Sequence, residues 1–168
     1  LGTAQRDWFI DGLGAAHDDG VTWKLVGNQV MITPWRIADL DEPWRRELGV
    51  MFPRNDGVYL NLDSWSGYLA ERNTILDGVA RDGISNLSFL TGDVHMFWQS
   101  TLQADYDDVA SPWVANEFTG GSITSTGIGN SVGPGPAAYV EQLTSPWSPA
   151  FNYVDLRRNG YGVVDCTP

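Results

Sequence analysis

Apolar residues mark one face of the stretch from Leu69 to Arg81, where Leu69, Ile75, Leu76 and Val79 form a stripe and Glu71, Arg72, Asp77 and Arg81 form the polar side. That spacing predicts an amphipathic helix, with Gly83 as its stop. Leu87, Phe89 and Leu90 follow at once, bounded by Asn86 and Gly92, and read as a short buried strand inside a sheet covered on both faces. Helix followed by strand is the form of an α/β unit.

Other segments extend the pattern. Leu1 to Leu13 predicts a helix with Thr3 as N-cap, ended by Gly12 and Gly14, before a polar turn from Ala16 to Gly20 in which His17 is expected at the surface. Thr22 to Thr33 reads as a core strand broken at Gly27-Asn28-Gln29, whose two amides either shape a turn or face a ligand. No clean period survives from Pro34 to Tyr68. Asn61 to Tyr68 is dense in groups that hydrogen-bond or stack: Trp65 and Tyr68 either pack in a turn or wall a cleft. Met96 to Leu102 and Trp113 to Phe118 read as strands. Between them Asp105 to Asp108 lacks the glycine and glutamate spacing of an EF-hand and reads as a solvated loop. The glycine-rich run Thr119 to Gly129 has neither a P-loop lysine nor a GxGxxG spacing. Ser131 to Pro149 reads as loop, with a helical turn at Ala137 to Leu143. Phe151 to Leu156 and Tyr161 to Cys166 predict two strands joined at Asn159-Gly160, a hairpin signal.

At 168 residues and 42% hydrophobic, the chain is long enough for one domain with a substantial core. The apolar runs are far shorter than the ~20 residues of a membrane helix. A net charge of −11, with Lys24 as the sole lysine, argues against a nucleic-acid surface. Leu1 to Arg6 lacks the basic start and apolar stretch of a signal peptide, and without an initiator methionine the chain reads as a piece of a longer precursor. Cys166 has no partner for an internal disulfide and is expected to be a small buried hydrophobe.

The chemistry concentrates where the central strand ends, in Gly92-Asp93-Val94-His95. Open α/β sheets carry their sites at carboxyl ends of strands. In extended backbone, residues two apart point the same way with Cα atoms roughly 6.5 Å apart. Asp93 and His95 then suit one metal ion or a bridge between two; equally, such an aspartate caps a turn and such a histidine satisfies a carbonyl. With two histidines and one cysteine in the chain, soft ligands are scarce.

Several segments together resemble one family, the PhoD-like alkaline phosphatases of the calcineurin-like metallophosphoesterases. They are Leu1-Gly2 with Gln5 and Trp8; Trp23 to Met31; Asp63-Ser64-Trp65-Ser66-Gly67-Tyr68 with Ala70-Glu71-Arg72; Leu90 to His95; Glu117-Phe118 with Ser122 to Ser125; and Asn159-Gly160-Tyr161. The resemblance implies an α/β chain forming part of a four-layer αββα sandwich, with residues 1–168 as the C-terminal portion of a single domain. It implies metal-dependent hydrolysis of phosphomonoesters or phosphodiesters by a metal-activated water, with Asp93 and His95 as ligands of a centre of iron with calcium. Trp65, Tyr68 and Asn28 are candidates for the cleft wall. Ser66 stands where many relatives have aspartate, and the family's other ligands lie upstream of a helix resembling Leu1 to Leu13. An N-terminal polypeptide of the same precursor or operon is therefore the expected partner, and its absence should leave an open sheet edge and an exposed apolar face. Family members are typically exported, so a secreted or periplasmic location is expected. The competing reading is a non-catalytic, acidic, tryptophan-rich secreted module that binds a glycan or protein; exposure of Trp35, Trp44, Trp65 and Trp147 would favour it. A metal-free serine hydrolase finds no Gly-x-Ser-x-Gly.

Overall fold

A computed structural model describes residues 1–35, 59, 61–106, 108, 110–147 and 150–167. Most of the aperiodic stretch, including Trp44, lies outside the described residues, as do Asp107 and the side chain of Trp147. The architecture is mixed α/β. Five strands, β1 (Lys24–Asn28), β2 (Leu87–Thr91), β3 (Phe97–Gln103), β4 (Trp113–Thr119) and β5 (Phe151–Asp155), form one sheet in the order β1-β2-β4-β3-β5. The pairs β1–β2 and β2–β4 are parallel, whereas β3 runs antiparallel to both β4 and β5. Helices α1 (Thr3–Asp18), α2 (Leu69–Arg81), α3 (Ile128–Val132) and α4 (Pro134–Trp147) complete the regular structure among the described residues, with a 3₁₀ turn at Trp65–Gly67.

Strand alternation shows that one face of the sheet is covered. On β4, Ala115, Glu117 and Thr119 are buried while Asn116 and Phe118 between them remain exposed. Under α1 and α2, Leu13, Leu76, Val79, Leu87, Phe89 and Leu102 pack into one core cluster. Beside α4, Met31, Trp35, Met96, Trp98, Ala137, Phe151 and Leu156 form a second, in which the Trp35 and Trp98 rings meet edge to face at 4.7 Å. Between the clusters runs a polar seam of Thr33, Ser100, Glu117, Thr91 and Asn28, joined by hydrogen bonds. The other sheet face presents Leu25 and Phe118, and β1 has no partner strand on its outer edge among the described residues. Between α1, β1 and α2 an apolar groove of about 520 Å³ opens beside that edge, with Trp8 exposed at its rim.

The helix from Leu69 to Arg81 has the bounds its apolar stripe predicts. Gly83, at φ +62°, follows the cap, and the Ile84 amide donates to the Val79 carbonyl at 3.1 Å. Arg72, expected on the polar side, is instead buried, with its guanidinium 4.9 Å from the centre of the Tyr106 ring.

Several other expectations need correction. Helix α1 runs through Gly12 and Gly14 and ends before Gly20. Of Gly12, Gly14 and Gly20, Gly20 alone, at φ +75°, adopts the left-handed conformation that terminates a helix, and Gly2 rather than Thr3 is the N-cap. Ala16 to Asp18 are therefore helical, and His17 is half-buried in the last turn. The first strand stops at Asn28, so Val30 to Thr33 are not strand; Met31 and Ile32 nonetheless lie buried across the sheet. The stretch Ser131 to Pro149 holds the end of α3 and the whole of α4 rather than loop; Pro134 and Pro136 fall in the first turn of α4, where no amide donor is needed.

The Asn159-Gly160 hairpin does not form. The Asp155 carboxylate accepts from the Arg157 and Arg158 amides at 2.9 and 3.0 Å. Asn159 then donates to the Ser122 and Ser125 carbonyls, docking the chain on the glycine-rich loop. Residues 161–167 have no regular structure, and Cys166 is exposed rather than buried.

Candidate functional site

The parallel strands β1, β2 and β4 end together, with Asn28 and Thr119 in register with Thr91 on either side. Asp93 and His95 follow two and four residues beyond Thr91, at the carboxyl end of the central strand. The backbone there is not extended. Asp93 (φ 73°) and His95 (φ 55°) both occupy the left-handed region, so Asp93 to Met96 is a run of bends that turns the chain into β3. Such conformations cost of order 1–3 kcal/mol each and persist only where the surroundings impose them.

Both side chains are exposed. His95 Nδ1 lies 3.0 Å from the Thr126 carbonyl oxygen. A carbonyl only accepts, so Nδ1 carries the proton and the neutral ring keeps its lone pair on Nε2. A backbone carbonyl on the far nitrogen is the usual device for orienting a metal-ligating histidine. The contact depends on Gly127: a Cβ there would lie 2.5 Å from the His95 carbonyl oxygen. The Asp93 carboxylate makes no hydrogen bond or ion pair among the described residues and borders a hollow of about 180 Å³ lined by Met31, Trp35, Asn61, Ser64, Val94 and Met96. No group of three or more His, Cys, Asp or Glu positioned to hold a metal occurs among the described residues.

The three wall candidates fare differently. Asn28 donates to Thr91 Oγ1 at 3.0 Å and accepts a long, 3.4 Å bond from Trp65 Nε1. Those two residues, remote in sequence, thus meet beside the end of β2. Trp65 is half-buried, and both line the apolar groove. Tyr68 is 66% exposed and lines neither cavity, its backbone serving as the N-cap of α2. Ser66 is buried, with its hydroxyl unpaired among the described residues. The acidic loop near Asp105 is not purely solvated, since the Tyr106 phenol oxygen is buried.

Sequence reasoning gave Glu117 no role beyond the family motif. It is completely buried and accepts three hydrogen bonds of 2.8 Å, from the Ile32 and Thr33 amides and the Thr91 hydroxyl. Burial pushes its carboxyl above the ordinary carboxylate range, against the pull of those donors. The signal was present: Glu117 shares the parity of Ala115 along β4, which places a carboxylate on the core face.

A family model of PhoD-like phosphatases matches residues 1–168. Alkaline phosphatase D of Bacillus subtilis (strain 168) is 31% identical over 131 residues, covering 77% of this chain and 19% of that protein. A solved structure of PhoD aligns with a TM-score of 0.68 at 24% identity, covering 95% of this chain and 26% of the other. The chain therefore spans about a fifth to a quarter of the length of these relatives. With its whole length matched by the family model and its sheet shared with a solved structure, the chain belongs to the PhoD-like phosphatase family.

Proposed function

We propose that the chain is the C-terminal portion of a metal-dependent phosphatase domain that hydrolyses phosphate esters, monoesters or diesters, with Asp93 and His95 as two of its metal ligands. The observation that carries this reading is the His95 ring, tied through Nδ1 to the Thr126 carbonyl with Nε2 left for a ligand, at the carboxyl end of the central strand. The Asp93 carboxylate, without a hydrogen bond among the described residues, suits a hard cation. The donor set fits iron with calcium: imidazole suits iron and carboxylate suits calcium. Bound metal would neutralise phosphate charge and lower the pKa of a water to make it a nucleophile near neutral pH.

Two donors do not fill a binuclear centre, and the remaining ligands belong to an upstream part of the same precursor or operon. That part would pair with the outer edge of β1, cover the bare sheet face and complete the four-layer sandwich. Asn28 and Trp65 would form part of the cleft wall, and the whole protein would act outside the cytoplasm. No helix among the described residues is long and apolar enough to cross a membrane.

The silent-module reading loses support, because Trp35 is only 9% exposed and Trp65 is half-buried. Hydrolysis of p-nitrophenyl phosphate or its bis-ester by the complete polypeptide, lost on chelation and restored by metal, is the expected result. Activity that survives exhaustive chelation would refute the proposal.

A further inference from the structure

We infer that Glu117 is a positioning residue for this centre: its buried carboxylate fixes the end of β2 from which the Asp93-Val94-His95 turn departs. The inference rests on the reading of Asp93 and His95 as metal ligands. Glu117 lies in the seam where the two apolar clusters part. Its Oε1 accepts from the Ile32 amide and the Thr91 hydroxyl, and its Oε2 from the Thr33 amide. One carboxylate thus joins β4, the segment lying across the sheet, and the last residue of β2.

Thr91 is held from its other side as well. Its hydroxyl oxygen accepts from Asn28 Nδ2 at 3.0 Å, and its carbonyl accepts from the Gly120 amide at 2.8 Å. The last residue of β2 is therefore tied to both neighbouring strand ends. Two residues on, the left-handed conformations of Asp93 and His95 begin. A strained turn keeps its shape only when its ends are fixed, and Thr91 is the fixed end nearest Asp93. An apolar side chain of similar size at position 117 would leave two buried amides and a hydroxyl without that acceptor.

The test compares Glu117→Gln, Thr91→Val and Thr91→Ser in the complete polypeptide. A glutamine amide keeps the shape but points N–H groups at one of the donor sets, while valine removes the hydroxyl, and with it both the bond to Glu117 and the one accepted from Asn28. Metal affinity, read by chelator competition, is expected to fall about 10- to 100-fold in Glu117→Gln and Thr91→Val, as for other residues supporting a ligand. The kcat for p-nitrophenyl phosphate should fall with it while KM holds, and Thr91→Ser should restore both. Metal affinity and kcat indistinguishable from wild type in Thr91→Val, whatever happens to thermal stability, would overturn the inference and leave Glu117 a core residue. His95→Ala serves as the reference: its loss of metal while Thr91→Val keeps it defeats the role of Glu117 alone. Its full retention of metal and activity defeats the ligand reading and this inference together.

Discussion

Replacing Gly127 with alanine perturbs the His95 turn through sterics alone. Gly127 sits at φ −97° and ψ −174°, which alanine adopts freely, so no backbone strain enters. Its new Cβ would stand 2.5 Å from the His95 carbonyl oxygen and 3.5 Å from the Met96 side chain. Ordinary contact begins near 3.4 Å, so loop and turn must part by about 0.9 Å, and backbone cannot swing aside as a flexible side chain does. Movement of that size along the bond takes His95 Nδ1, now 3.0 Å from the Thr126 carbonyl, out of hydrogen-bond reach. Overpacking costs about 1–3 kcal/mol, and the lost bond adds roughly 0.5 kcal/mol, the low end of the range because His95 is exposed. Denaturant unfolding of the complete polypeptide should therefore show a loss of about 2 kcal/mol. Long-range nitrogen–proton NMR of His95 should show the Nδ1–H tautomer in the wild type and a mixture in Gly127→Ala. Unchanged stability together with an unchanged tautomer would refute the reasoning.

Three further outcomes follow from the packing. Leu76→Ala, at a position 1% exposed in the cluster under α1 and α2, should cost about 2–5 kcal/mol in denaturant unfolding. Gly129→Ala would place a Cβ 2.5 Å from the Leu156 carbonyl oxygen and 2.7 Å from Arg157 Cα, and should destabilise the end of β5, read as faster amide exchange at Leu156 and Arg157. Glu117 sets a pH dependence. Its folded pKa is raised above the ordinary 4.5, so between the two values the folded state holds a proton that the unfolded state has released. Its contribution to stability is fully present below 4.5 and is lost as pH rises through the folded value, and Glu117→Gln should remove that slope from a series of unfolding curves.

The elements legible in the sequence are those whose local pattern agrees with their packing. Helix α2 has an apolar stripe and a glycine stop, and β2, β3, β4 and the first half of the expected hairpin carry apolar or alternating runs. Position-dependent residues defeated the reading elsewhere. Prolines that break a helix interior are harmless in the first turn of α4, and two glycines inside α1 lack the positive φ that would end it. Asn159-Gly160 forms no hairpin because the Asp155 carboxylate turns the chain at Arg157 and Arg158, and the glycine-rich loop, distant in sequence, holds Asn159.

The candidate site divides in the same way. Asp93 and His95 stood out through residue type and place at a strand end. The Thr126 carbonyl that sets the His95 tautomer and the clamp of Glu117 on Thr91 are tertiary contacts across 31 and 26 residues, and the left-handed backbone of Asp93 and His95 has no local signature either.

Elemental analysis of the purified complete polypeptide, as wild type and as Asp93→Asn and His95→Ala, tests the central claim most directly. The account predicts bound metal in the wild type and, in each variant, loss of metal together with loss of phosphate-ester hydrolysis. Equal metal content and equal activity in all three proteins would contradict it.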